Sequence, residues 1–268
     1  MKKTILAILT AAVTVASSQA QILVAAWDFQ TTSNGGTAVV AAPTSGTVAN
    51  TISKVYVANF GSGSLYMDGS NFSSNWFLPV NGTTNAELST AGGTAVNTTG
   101  TSLSSVTTSP AALSFLGGAQ SGTTPNLVYA ANGKSAVFKF SMAGYSNLSI
   151  SLAAQRTNTG FTTQLWEYSA NGGSSWSSIG SLLSGATAGT LTTSFASSDV
   201  LSLPTFSGLD GVSDALVRVT FTGATGASGN NRVDNIRFNA VPEPSSSMLM
   251  VLGAAGLISI RAFRRKQS

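Results

Sequence analysis

The side chains that could do chemistry in this chain are few. In Arg232-Val233-Asp234-Asn235-Ile236-Arg237-Phe238, strand alternation places Asp234 on the same face as Ile236 and Phe238, the face expected to point into a core. A carboxylate aimed inward must be paired, hydrogen-bonded or bound to a metal, because burying an uncompensated charge is costly. Backbone donors at a strand end, or Arg232, would also satisfy it. Asp210-Gly211-Val212-Ser213-Asp214 reads as turn chemistry rather than a ligand loop, since it lacks the alternating oxygens of a calcium-binding hand. Trp76 stands in a polar setting, Asn71-Phe72-Ser73-Ser74-Asn75-Trp76-Phe77, with Tyr66 nearby, and the two are candidates for a sugar-stacking platform. Core packing is the favoured expectation for Trp76, as it is for Trp27, Trp166 and Trp176, and Trp76 is the first of them to test as a platform. Glu87, Glu167 and Asp199 are isolated in sequence, so a glycosidase built on two carboxylates is the alternative activity rather than the leading one.

Missing residue types remove whole classes of mechanism. The chain has no His and no Cys. Serine–histidine and cysteine–histidine hydrolysis, zinc–thiolate sites and disulfide frameworks therefore drop out. The formal charge of +4 suggests an anionic partner, but six cations lie at the ends: Lys2, Lys3, Arg261, Arg264, Arg265 and Lys266. Between Gln21 and Ala240 the chain is close to neutral, and no cation cluster is left to track phosphates. Nucleic acid is not expected as a partner.

The elements that must position these residues are strands. Ile22 to Phe29, Ser64 to Met67, Trp76 to Leu78, Leu127 to Tyr129, Ala136 to Phe140, Leu148 to Leu152, Phe161 to Tyr168, Trp176 to Ile179, Ala215 to Phe221 and Arg232 to Asn239 are short apolar alternations. Clusters of Gly, Ser, Thr and Asn separate them. The pattern predicts an all-β body over residues 21–240, an antiparallel β-sandwich. The Thr-rich region from Asn81 to Thr124 is expected to form loops with one or two short strands at an edge. Asn171-Gly172 supplies the positive φ angles of a tight hairpin.

The ends read as addresses. Lys2 and Lys3, an apolar segment from Ile5 to about Ala16, and Ser18-Gln19-Ala20 form a secretory signal over residues 1–20, cut after Ala20 by signal peptidase. At the other end, Pro242 and Pro244 are expected to break any strand and to form a stiff connector. They precede an apolar run from Met248 to Ile260. Counted from Ser245 to Phe263 this run reaches roughly 28 Å as a helix, enough for a single marginal membrane span. Arg261, Arg264, Arg265 and Lys266 would hold its end on the cytoplasmic side as a stop-transfer signal.

Three resemblances follow from these residues. Ser169, Asn171, Gly173, Ser175 and Trp176 resemble the Asp-box hairpin of secreted β proteins, a structural motif. Gly229 to Ile236 resembles the closing strand of jelly-roll carbohydrate-binding modules, which implies a jelly-roll-like sandwich and a structural calcium held by Asp234. Asp28 in the first strand is the natural second ligand if the two strands lie side by side, and oxygen ligands suit calcium. Residues 241–268 resemble the PEP-CTERM sorting signal of Gram-negative bacteria, with Pro242, Glu243 and Pro244 as the recognition triplet. That likeness implies processing by exosortase, a membrane-embedded cysteine-protease-like enzyme. The protein would be anchored transiently in the inner membrane and then released to the cell surface or exterior, often alongside exopolysaccharide. The function expected is that of a non-enzymatic surface or matrix protein engaged in adhesion or in binding extracellular polysaccharide.

Overall fold

The computed structural model describes residues 20–29, 54–77, 86–98, 111–183, 191, 193–196 and 200–243. The signal segment before Ala20, Pro244, the apolar run and the Arg261 to Lys266 cluster lie outside them. The described chain forms β1 (Ile22–Trp27), β2 (Val55–Val57), β3 (Phe60–Gly61), β4 (Gly63–Tyr66), β5 (Leu88–Gly92), β6 (Ala111–Leu116), β7 (Gln120–Ser121), β8 (Val128–Tyr129), β9 (Ser135–Phe140), β10 (Tyr145–Arg156), β11 (Thr163–Ser169), β12 (Ser177–Leu183), β13 (Val200–Ser202), β14 (Ala215–Thr222) and β15 (Asn230–Pro242). All register pairs between these strands are antiparallel.

Two sheets carry the fold. The first runs β13-β10-β15-β1-β3, with β6 also on β15 and β5 outside β6; the second runs β12-β11-β14-β9-β4-β2. From β9 onward the chain crosses repeatedly between them, and their facing side chains make one apolar cluster. Alternation explains which residues enter it. In β14, Val217, Val219 and Phe221 are buried while Arg218 and Thr220 are more open; in β9, Phe138 and Phe140 point in and Lys139 points out.

Aromatic rings lock the sheets together. Phe138 of β9 lies 4.9 Å from Trp27 of β1, 5.1 Å from Phe238 of β15 and 6.0 Å from Trp166 of β11, so one ring ties both layers. A second group forms where Trp76 meets Phe115 at 5.0 Å and Phe221 at 5.7 Å. The indole N–H of Trp27 donates to the carbonyl of Tyr56 at 3.0 Å, so its polar edge is satisfied inside the core.

The Thr-rich region departs from expectation in a specific way. It supplies β5, β6 and β7, and β6 joins the first sheet by pairing Leu113 to Leu116 with Val233 to Asn230. Of the strand expected from Trp76 to Leu78, Leu78 lies outside the described residues and Trp76 and Phe77 are not in a strand; Asn75 makes an isolated bridge to Asp68, and the side chain of Trp76 enters the core. Pro242, expected to lie in a connector, is instead the last residue of β15. A terminal position lets a residue without an N–H end a ladder.

Replacing Phe138 with Ala should cost about 3–5 kcal/mol. Urea unfolding monitored by tryptophan fluorescence would register it as a lower midpoint at unchanged slope.

Candidate functional site

β15 changes partner along one edge. Its first half pairs with β6 as far as Val233 opposite Leu113, and its second half pairs with β1 from Ile236 opposite Trp27. Asp234 and Asn235 fall in the gap between. There the ladder to β10 also slips: Ser151 faces Arg237 and Ala153 faces Asp234, leaving one extra residue on β15. Asn235 takes up the slip at φ +48°, a left-handed conformation that Asn tolerates better than most residues.

The bulge corrects the face on which Asp234 lies. Val233 and Ile236 both enter the core, so Asp234 between them does not. It shares a face with Ala153, whose neighbours Leu152 and Ala154 are the core residues of β10. Strict alternation put Asp234 with Ile236 and Phe238, and the extra residue inverts that. Asp234 is nonetheless fully buried, because the loop after β5 closes over the back of the sheet.

That loop is held by amide groups. Thr94 N–H donates to Asp234 Oδ2 at 2.8 Å, and Asn235 N–H donates to Oδ1 at 2.7 Å. Asn235 Nδ2 donates to the carbonyls of Thr94 and Val96, both at 2.8 Å. Asn97 Nδ2 donates to the carbonyl of Asn235 at 2.8 Å. Asn235 Oδ1 is buried and accepts no hydrogen bond. Two carbonyls on Nδ2 fix the orientation of the amide, so the bare atom is an oxygen.

Asp28 comes to the same place. It follows the last residue of β1, is buried, and its N–H is held by Asn59 Oδ1 at 2.9 Å. Burial above all pushes the Asp234 carboxyl up to about 8; the Thr94 and Asn235 N–H groups oppose this, and the charge of Asp28 adds to it. Two buried carboxyls and, on the residue after Asp234, a bare amide oxygen offer oxygen atoms only, the chemistry that suits a hard divalent cation. No group of three or more His, Cys, Asp or Glu side chains able to hold a metal occurs among the described residues. Any cation here would therefore rely on amide and backbone oxygens as well.

The sugar-platform candidates separate. Trp76 is fully buried, with its indole N–H on the carbonyl of Ser135 at 2.9 Å and its ring against Phe115 and Phe221, so no face is left for a ligand. Tyr66 is half-buried, opposite Val55 and Val137 in the second sheet, and turned to the side away from its core neighbour Leu65.

An aromatic ledge, not anticipated from sequence, lies on that outer side. The hairpin between β11 and β12 is organised by Asn171, whose Oδ1 accepts from Ser169 Oγ at 2.9 Å and Ser175 N–H at 3.0 Å. Gly172 and Gly173 take φ +64° and +87°. Trp176 then meets the Arg218 guanidinium 4.1 Å from its ring centre, and Phe72 lies 6.3 Å away. Arg218 also grips Glu167 across the strand pair at 2.7 Å. Phe72 is 55% exposed and sits at φ +66°, beside Asn71 at +48°. A bulky residue in the left-handed region is strained and has to be held there by its surroundings. The ring rests over Gly173, where a Cβ would come within 2.3 Å of it.

Several other described carboxylates are engaged structurally, and Asp199 lies outside the described residues. Glu87 is buried against Lys134, and Asp214 pairs with Lys139 at 3.1 Å. Asp210 accepts the N–H of Asn147 at 2.7 Å. Glu87 and Glu167, the described candidates for two-carboxylate hydrolysis, are each held by a cation, while Asp28 and Asp234, expected as cation ligands, lie near one another in a closed site rather than a cleft.

Comparison with known proteins adds the destination. Residues 240–266 match the PEP-CTERM protein-sorting motif. The chain therefore carries a sorting motif that implies export, processing by exosortase and sorting to the cell surface. No curated protein sequence matches the chain. Among solved structures, the CBM22-1–GH10 modules of Clostridium thermocellum xylanase 10B complexed with xylohexaose are similar at 7% identity and a TM-score of 0.34, over 59% of this chain and 25% of that one. TmCBM61 in complex with β-1,4-galactotriose is similar at 6% identity and a TM-score of 0.31, over 57% and 81%. The K1 cleaved adhesin domain of Lys-gingipain from Porphyromonas gingivalis W83 is similar at 10% identity and a TM-score of 0.31, over 66% and 98%. The chain thus spans a quarter of the length of the xylanase.

The raised Asp234 pKa gives a pH test in metal-free buffer. The folded chain holds this proton more tightly than the unfolded chain, whose carboxyl titrates near 4. The stability it lends is complete below that value and is lost as pH rises toward about 8. Tm should fall between pH 5 and pH 8.5, at up to about 1.4 kcal/mol of stability per pH unit from this group. Asp234→Asn should flatten the profile.

Proposed function

We propose that this is a non-enzymatic protein of the cell surface or extracellular matrix, delivered by an exosortase-type system and associated there with extracellular polysaccharide. Strand crossings between the sheets support a jelly-roll-like body. The observation that carries the glycan reading is the ledge of Phe72, Trp176, Arg218 and Glu167. It joins an exposed, strained aromatic ring to a fixed cation and carboxylate, so one side can stack on an apolar sugar face while the other hydrogen-bonds its hydroxyls. Tyr66 stands on the same outer side of the second sheet.

Pull-down of the protein with the exopolysaccharide of its own host tests this reading. Unaltered protein should be retained, and Phe72→Ala should weaken retention about tenfold, equivalent to about 1.4 kcal/mol. Equal retention of the two proteins, or none of either, would remove the ledge from the account.

The second part of the proposal is a structural calcium between Asp28 and Asp234, for which the bare Asn235 Oδ1 is the supporting observation. Calcium at a hundredfold excess over its Kd should add about 2.7 kcal/mol, or roughly 5 to 10 °C in Tm. Chelator should abolish the gain, and Asp234→Ala should show none. Superimposable melting curves with calcium and with chelator would dispose of the site.

A further inference from the structure

The sorting motif begins inside the folded sheet. β15 continues to Pro242, with Val241 opposite Ser146 and Pro242 opposite Tyr145 on β10. One residue further, Glu243 N–H donates to the carbonyl of Gly144 at 2.8 Å, in a turn where Gly144 has φ +77°. The receiving side is itself fixed: Tyr145 N–H donates to Met142 at 2.9 Å, and its carbonyl accepts Gly211 N–H at 3.0 Å. Ala240 is buried, Val241 and Pro242 are half-buried, and Glu243 is exposed.

A protease that takes its substrate as an extended strand uses main-chain N–H and C=O groups. Glu243 N–H is already given to Gly144, Val241 and Pro242 lie in register against β10, and Pro242 has no N–H to offer a protease, so cleavage there requires the strand end to open first. Resting on the exosortase reading, we infer that the cut falls on the C-terminal side of Glu243, and that the end of the sandwich sets this limit. The reaction breaks one amide C–N bond; water supplies a hydroxyl to the acyl carbon and a proton to the departing amine. The released body keeps Pro242 as the end of its last strand and Glu243 just beyond it.

The test is the full chain expressed in a host with an exosortase system, its mature form isolated and its C-terminal peptide mapped by mass spectrometry. A peptide that includes Glu243 is expected; one ending at Pro242, Val241 or upstream overturns the inference and leaves the sorting reading intact. In a second chain, six Gly and Ser residues inserted between Ala240 and Val241 release the triplet from β10. Cuts should then spread upstream of Glu243, and a single unchanged bond would show that local sequence, not the fold, chooses it. In a third chain, Glu243 and Pro244 are replaced by Ala. Release at the unaltered bond would remove the exosortase reading itself, and this inference with it.

Discussion

The ladder that β15 makes with its neighbours is the interaction on which the rest depends. Its thirteen residues pair with β10 along one edge and with β6 and then β1 along the other. Inward it contributes Val233, Ile236, Phe238 and Ala240 to the core. The gap between its two edge partners holds the buried carboxyls, and its last residues open the sorting motif. Loss of register would therefore reach the core, the candidate cation site and the sorting end together, because a slip by one residue turns every side chain to the other face.

A body with so few charges and no disulfide closes its loops with amide side chains. Asn132 both donates to the carbonyl of Ala224 at 3.0 Å and accepts its N–H at 2.9 Å, so one side chain acts as a short piece of strand. Asn171 organises the β11–β12 hairpin, and Asn97 and Asn235 join the loop after β5 to the back of the first sheet. An amide carries both donor and acceptor, so it satisfies a buried backbone pair without adding a charge that would need a partner. The Asn-rich composition is thus part of how the fold is fastened.

Period-two patterning made the strands around Phe138, Ile150, Val219 and Phe238 readable, because each has one buried and one more open face. The same rule failed at Asp234, where the extra residue breaks the period; only the Asn that follows the Asp hinted at it. The nearness of Asp28 to Asp234 was legible as an expectation about neighbouring strands. The cover over them was not, since Thr94, Val96 and Asn97 act through backbone groups and one amide in a stretch with almost no apolar pattern. Trp76 went to the core, as the favoured expectation had it; the platform alternative came from its polar neighbours, while its own ring turns inward. Phe72 carried no signal, as its meaning comes from a backbone angle and from a hairpin distant in sequence.

The β10–β15 ladder contains a second slip, and the two cancel. Between Ser146 and Ser149, β10 spends one residue more than β15 does between Val241 and Asn239; further along, β15 spends the extra residue at Asn235. From Tyr145 to Arg156 and from Asn231 to Pro242 the two strands therefore advance equally. Both slips involve an Asn at positive φ, Asn147 at +56° and Asn235 at +48°. Each is secured from outside the ladder, Asn147 N–H on Asp210 Oδ1 at 2.7 Å and Asn235 Nδ2 on Thr94 and Val96. A single bulge would leave one end of the pair facing the wrong way, whereas two on opposite strands restore the inward set on both sides of the kinked middle. This compensation buries Asp234 behind the sheet while still bringing Pro242 opposite Tyr145. The candidate cation site and the docked sorting motif are two consequences of one matched pair of irregularities.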